Sequence, residues 1–366
     1  MKDGLKKSIN SYKQLPVQIR ASIWFVFSSF FQKGISFLST PVFTRLLTAQ
    51  EYGMYSVFNS WLSILTVFLT LNLSAGIFNQ GLVKFEKKRE EFASSMYGIC
   101  TALIIGWSFL YFAFRSFWND LFSLTTVQML AMILIIWSSS IFSFWSMQQR
   151  VDFKYRSLVM TTIILSILKP ILSVILVMKS EDKVTAYILG TLIVQLMIYP
   201  YFFCRQLRKN KAFCSVSFWK YALKLGIPLI PHYLSLSVLA GADRIMISNM
   251  AGVEEAGIYN LAYSISQIVS VINTSLLQAI EPWLYKKIKK KETGDLSGVA
   301  YPAFIFSAVL SLVVILLAPE IITFFAPAQY YKAIWVIPPV AMSCFFTFSY
   351  TFFVTFEFYY EKTKGI

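Results

Sequence analysis

Apolar and polar positions alternate along this chain on the scale of whole membrane-length helices. Runs of about 20 apolar residues, the length that crosses a hydrocarbon core, fall at Ile23 to Phe43, Val57 to Phe78, Phe92 to Phe114, Leu124 to Trp145 and Leu158 to Met178. Five more follow at Val184 to Cys204, Gly226 to Met250, Ile258 to Ile280, Val299 to Leu317 and Ala333 to Phe356. Only helices satisfy their own backbone inside lipid over such lengths, so the pattern predicts an all-α, polytopic membrane protein with ten transmembrane helices. No connector is long enough to form a domain. The largest, Arg205 to Lys224 and Glu281 to Ser297, are basic.

Composition agrees with lipid as the solvent. Hydrophobic residues make up 57% of the 366 and charged residues 14%, against about 25% charged in soluble chains. A net charge of +15 would suit a nucleic-acid partner, but the basic residues gather between apolar runs and form no face interleaved with aromatics, so none is expected. Of the 33 Lys and Arg, 25 fall in the terminal segments and alternate connectors, which predicts that both termini are cytoplasmic. The first span runs into Thr44-Arg45-Leu-Leu without a small-residue cleavage site and reads as retained. Cys100, Cys204, Cys214, Cys344 and the single His232 are scattered. They offer no metal site, disulfide framework or cofactor site. An enzyme of membrane glycan chemistry would need carboxylates, Arg or His in a sizeable loop, and the chain has no such loop.

An internal repeat shows in the polar positions. Gln50-Glu51-Tyr52-Gly53-Met54-Tyr55 resembles Glu254-Glu255-Ala256-Gly257-Ile258-Tyr259 at an offset of 204 residues. In the second span Tyr55, Asn59, Ser63, Thr66, Thr70 and Ser74 share a helical face; the same offset turns them into Tyr259, Tyr263, Gln267, Ser270, Thr274 and Gln278. Ser29, Lys33, Thr40 and Thr44 of the first span become Tyr233, Ser237, Arg244 and Ser248. Each such residue alone reads as helix-packing glue, whereas stripes in register read as a shared lining between two repeats. Six spans per repeat is an even number, which makes the copies parallel. The expected organisation is an amino-terminal lobe over 1–210 (spans 1–6) and a carboxy-terminal lobe over 211–366 (spans 7–10).

Three cations lie inside spans: Lys33, Lys169 and Arg244. Each costs about 2.5 kcal/mol or more at the bilayer centre, so each needs a partner or a wet cavity. Lys169 continues a stripe of Thr162, Ser166 and Ser173. The one acid of similar depth, Asp243, neighbours Arg244 but points about 100° away on an ideal helix, so no face-to-face pair is expected. The surplus of positive charge suggests an anionic substrate, with phosphate or diphosphate the natural match for Lys and Arg. Pro41, Pro170, the Pro228/Pro231 pair and Pro338-Pro339 are expected to interrupt helices.

The segment Pro41-Val-Phe-Thr-Arg45-Leu-Leu with Glu51-Tyr52-Gly53-Met-Tyr55, then Gly241-Ala-Asp243-Arg244-Ile-Met and Ala256-Gly257-Ile-Tyr259, resembles the polysaccharide and O-antigen flippases (Wzx type) of the multidrug, oligosaccharidyl-lipid and polysaccharide exporter superfamily. The resemblance implies two lobes around a central cavity, alternating access, and transfer of an undecaprenyl-diphosphate-linked oligosaccharide from the cytoplasmic to the periplasmic leaflet of a bacterial inner membrane. It also implies coupling to a proton or sodium gradient, with membrane lipid and polysaccharide polymerase or ligase proteins as partners. Candidate substrate-binding residues are Lys33, Lys169, Arg244, Asn59 and Gln267, and candidate gating or charge-partner residues are Asp243 and Arg45; Lys33 and Lys169 come from buried charge alone. Such flippases have twelve or more spans, so a second lobe truncated after four is expected. The alternatives are a drug or small-molecule extruder of the same superfamily, which would use buried carboxylates, and a non-transporting scaffold of polysaccharide assembly.

Overall fold

The computed structural model describes residues 16–74, 76–289 and 297–359, and among them finds thirteen α-helices and no strand. Ten are long: α1 (Val17–Leu46), α2 (Ala49–Thr70), α4 (Arg89–Ala113), α6 (Thr126–Val151), α7 (Tyr155–Lys179), α8 (Lys183–Lys209), α9 (Val216–Met250), α10 (Val253–Lys289), α11 (Ser297–Leu316) and α13 (Ala333–Tyr359). The short helices α3 (Ile77–Lys84), α5 (Arg115–Phe122) and α12 (Ala318–Phe325) lie between them. Every expected span is a long helix, and eight of the ten are long and apolar enough to cross a membrane. The two outside that group are α1, which carries Lys33, and α10, which carries the polar stripe. The chain is a multi-pass membrane protein.

The second span differs from its expected course to Phe78. Its helix stops at Thr70, where Leu71 and Asn72 turn left-handed (φ 51° and 47°), and α3 starts after Gly76 at φ 93°. Asn and Gly tolerate that region of backbone space. The corresponding positions in the second copy, Leu276 and Ile280, offer neither residue, and α10 runs on unbroken to Lys289. Ser74 therefore leaves the stripe. The prolines do not interrupt their helices either: α1, α7, α9 and α13 continue through Pro41, Pro170, Pro228/Pro231 and Pro338/Pro339. Each loses one backbone hydrogen bond without ending the helix.

Element boundaries follow the repeat. Leu46 and Met250 end α1 and α9, and Ala49 and Val253 begin α2 and α10, each pair 204 residues apart. The long-short-long run α4, α5, α6 recurs as α11, α12, α13.

Packing divides the chain into two units, Met1–Val42 with Met54–Met250, and Phe43–Gly53 with Ala251–Ile366. The end of α1 and the start of α2 thus belong to the second unit. In the first unit, α6 and α8 are stitched side by side at three levels. Gln128 Nε2 donates to Thr185 Oγ1 (3.0 Å), Ser138 Oγ to Gln195 Oε1 (2.7 Å) and Gln148 Nε2 to Gln206 Oε1 (3.2 Å). The partners stay 57 or 58 residues apart at every level, which only parallel helices allow. Gln128 is fixed a second time, by the capping box with Thr125 that starts α6. An aromatic core of Phe78, Phe92, Tyr97, Phe144 and Phe218 holds α3, α4, α6 and α9 together. In the second unit α10 lays Ala256, Leu261, Ile265 and Val269 into its core, and its main partner is α13.

Candidate functional site

In the second unit, residues 43–53 form a strap held at both ends. The last carbonyls of a helix have no partner inside it, and α12 ends at Phe325. Thr44 Oγ1 donates to the Phe325 carbonyl (2.6 Å) and Arg45 Nη2 to the Phe324 carbonyl (2.8 Å). The Leu47 carbonyl accepts from the buried Tyr330 hydroxyl (3.2 Å) and from Gln329 Nε2 (3.4 Å). Thr48 and Glu51 exchange hydrogen bonds that start α2, the Glu51 carboxylate accepting from Thr48 N–H (2.7 Å). Tyr52 meets the Tyr330 ring edge-on at 6.1 Å.

At the end of the strap, two glycines one repeat apart face each other. A Cβ on Gly53 would fall on the Val253 carbonyl and 3.0 Å from the Gly257 nitrogen, and a Cβ on Gly257 would fall on the Ala49 carbonyl and 2.8 Å from the Gly53 nitrogen. The pairs 49/257 and 53/253 exchange under the repeat offset, so this crossing has pseudo-twofold symmetry. Only residues without a side chain let two backbones come this close. Nearby, Lys332 Nζ pairs with Glu255 Oε1 (2.6 Å), which holds the lysine pKa above its ordinary value.

In the first unit the three cations lie on three helices with different surroundings. Lys33 is exposed on α1. Half-buried Lys169 sits over the Tyr199 ring at 5.7 Å, and its stripe is a packing seam: Ser166 donates to its own helix at Thr162, while fully buried Ser173 donates to the Tyr187 carbonyl of α8 beside Gly190. Arg244 is 8% exposed and does pair with its neighbour, Nη1 lying 3.2 Å from Asp243 Oδ1 and 2.7 Å from the Ala240 carbonyl. The expectation of no pair fails because the arginine stem is long enough to fold back along its own helix. One turn earlier, Gly241 lets α9 approach Ser60 of α2, where a Cβ would stand 3.4 Å away. Asn59 Nδ2 donates to the Tyr55 carbonyl (2.9 Å), and the Tyr55 ring stacks on Tyr187 at 3.8 Å. Gln267, half-buried on α10, belongs to the second unit with Arg45.

Sequence reasoning missed two groups of polar residues. The α6–α8 stitches were foreshadowed by polar residues recurring every ten or eleven positions on both helices. Asn273 lies outside the stripe of α10, yet it joins the stripe residues Ser270, Thr274 and Gln278 along a cavity of about 230 Å³ facing α13.

The fold is shared with solved transporters at low sequence identity. A multidrug resistance MATE family transporter of the MOP superfamily, in its inward-facing conformation, superposes with a TM-score of 0.57 at 14% identity, covering 86% of this chain and 78% of its own. A MOP superfamily transporter from Pyrococcus furiosus superposes with a TM-score of 0.52 at 13% identity, over 89% and 77%. Among curated proteins, Lsg locus protein 1 of Haemophilus influenzae is 23% identical over 94% of this chain and 86% of its own length. An uncharacterized membrane protein of the same organism is 26% identical over 51% of this chain and 46% of its own. The profile of the family described as polysaccharide biosynthesis protein matches residues 19–287, and the chain belongs to that family.

Proposed function

We propose that this protein carries a lipid-linked oligosaccharide, anchored through undecaprenyl diphosphate, from the cytoplasmic to the periplasmic leaflet of a bacterial inner membrane. It does so by alternating access of the two repeats, 1–210 and 211–366, as a step in O-antigen or capsule synthesis. Membership of a polysaccharide biosynthesis family supports the substrate class, and the fold supports a transporter. The observation that carries the reading is the sign of the mid-helix charge. Among the described residues Lys33 and Lys169 have no ion-pair partner, while the deep acid Asp243 is neutralised by Arg244. A site of that sign suits a diphosphate better than the cations a drug extruder expels.

In this reading Lys33, Lys169 and Arg244 attract the diphosphate, and Asn59 and Gln267 offer amides to the glycan. Asp243 limits the charge of Arg244. Arg45 acts with the 43–53 strap as the outer gate. The test is complementation of a flippase-deficient strain, with surface polysaccharide as the readout. Restored polysaccharide is expected; drug resistance without polysaccharide would overturn the reading in favour of an extruder.

A further inference from the structure

Helix α4 carries two glycines about two turns apart with opposite surroundings. At Gly98 the chain covers its own backbone, since a Cβ there would fall on the Phe213 carbonyl of the connector that leads into α9. At Gly106 nothing lies within 4 Å of a Cβ. The space left open is a groove of about 410 Å³ between α4 and α9, with Ile99, Leu103, Gly106 and Leu110 along one wall and Trp219 and Leu223 on the other. Positions 99, 103, 106 and 110 recur at three and four residues and so make one helix face. Buried Ile99 roots the groove in the aromatic core of the first unit, while Leu110 opens to the surface. Trp219 is pinned in place, its Nε1 donating to the Ser95 carbonyl of α4 (3.0 Å).

An apolar groove inside a bilayer offers water no partner and takes up hydrocarbon. Length and charge together say which hydrocarbon. From Ile99 to Leu110 the helix rises about 16 Å, about half of a 30 Å hydrocarbon core. That is the reach of one acyl chain in one leaflet, and a polyprenyl tail would overrun it. Residues 205–224, the connector and first turns of α9, hold six Lys and Arg and no acid. Two of these, Lys220 and Lys224, follow the groove residues Trp219 and Leu223 in sequence and are exposed. Trp219 thus stands between apolar groove and lysines, the place a tryptophan takes at a membrane interface. We infer that the groove holds one acyl chain of an anionic membrane phospholipid, whose phosphate meets Lys220 and Lys224. A lipid seated there braces the start of α9 against α4. The binding does not depend on the transport reading above.

The test uses the full-length protein in a mild detergent, titrated with phosphatidylglycerol or phosphatidylcholine whose acyl chains carry bromine, which quenches a tryptophan that it touches. Trp107 and Trp219 both line the groove. Saturable quenching by the anionic lipid, near one molecule per chain, is expected. A lysine beside an anionic lipid changes affinity about fivefold, so Lys220→Gln with Lys224→Gln should weaken binding about twentyfold, toward the level of phosphatidylcholine. Gly106→Leu puts a side chain into the open space, and Ala102→Leu fills the same groove from its other turn. Both should lose the quenching while melting like the parent in the absence of lipid. Equal quenching by the two lipids, or undiminished quenching in both filled variants, would overturn the site. Displacement of the brominated lipid by a polyprenyl phosphate more readily than by unbrominated phosphatidylglycerol would overturn the phospholipid assignment, as would a dimer that Gly106→Leu dissociates, which would give the groove to a second copy.

Discussion

Replacing Gly53 or Gly257 by alanine tests the crossing at the strap. Each new methyl would land on the opposing backbone, well inside the 3.4–4 Å of ordinary van der Waals contact. Backbone cannot swing aside as a side-chain tip can, so the two helices must part. Overpacking of this kind costs about 1–3 kcal/mol. Because both methyls enter the same crossing from opposite sides, one separation makes room for both. The double variant should therefore cost about as much as the worse single variant, a departure from additivity of about 1 kcal/mol or more. Gly34→Ala is the control: nothing lies within 4 Å of a Cβ there, and removing a mid-helix glycine should be neutral or stabilise by about 0.5–1 kcal/mol. Thermal melting of the purified variants gives the stabilities, and surface polysaccharide in a complemented strain gives the activity. Gly53→Ala and Gly257→Ala should lower the melting temperature, and the gating role proposed for the strap predicts that export falls with it. Two single variants that melt and export like the parent, or losses that simply add, would refute the close backbone crossing.

Lys33→Ala and Arg244→Ala should each cut polysaccharide export about tenfold or more, the worth of a charge-assisted hydrogen bond, with protein level unchanged and Lys33→Arg better tolerated; normal export by both alanine variants would remove the electropositive path. Gln195→Leu removes the α8 acceptor of Ser138, whose hydroxyl keeps only the Ile135 carbonyl of its own helix, and should destabilise by about 0.5–1.5 kcal/mol, read as a lower melting temperature; an unchanged melting temperature would deny the stitch a part in stability. Thr44→Val uncovers the Phe325 carbonyl and should speed proteolysis at the α12 end without changing membrane insertion. Reporter fusions after Lys88, Arg156 and Lys209 should read as cytoplasmic and fusions near Asn119, Ser180 and Ala328 as periplasmic; an inverted pattern at any of them contradicts the orientation taken from basic connectors.

Helix number, the repeat and the family motifs were legible in the sequence because each depends on local quantities: apolar length, charge placement, and residue types at a constant offset. The glycines and the Thr44-Arg45 pair could be quoted as motifs, but their purpose could not. Two backbones in contact at Gly53 and Gly257, or two orphan carbonyls at the end of α12, exist only once segments about 200 and 280 residues apart have met. Periodicity reports which residues share a face and says nothing about what that face meets. The stripe of Lys169 accordingly proved a seam against α8, while the lower half of the α10 stripe lines a cavity with Asn273, a residue off the stripe. Ideal helix geometry likewise set Asp243 and Arg244 apart, and a flexible side chain brought them together. Local chemistry determined the helices and their register; the direction in which each hydroxyl, amide and guanidinium spends its hydrogen bonds was decided by the neighbours that packing supplied.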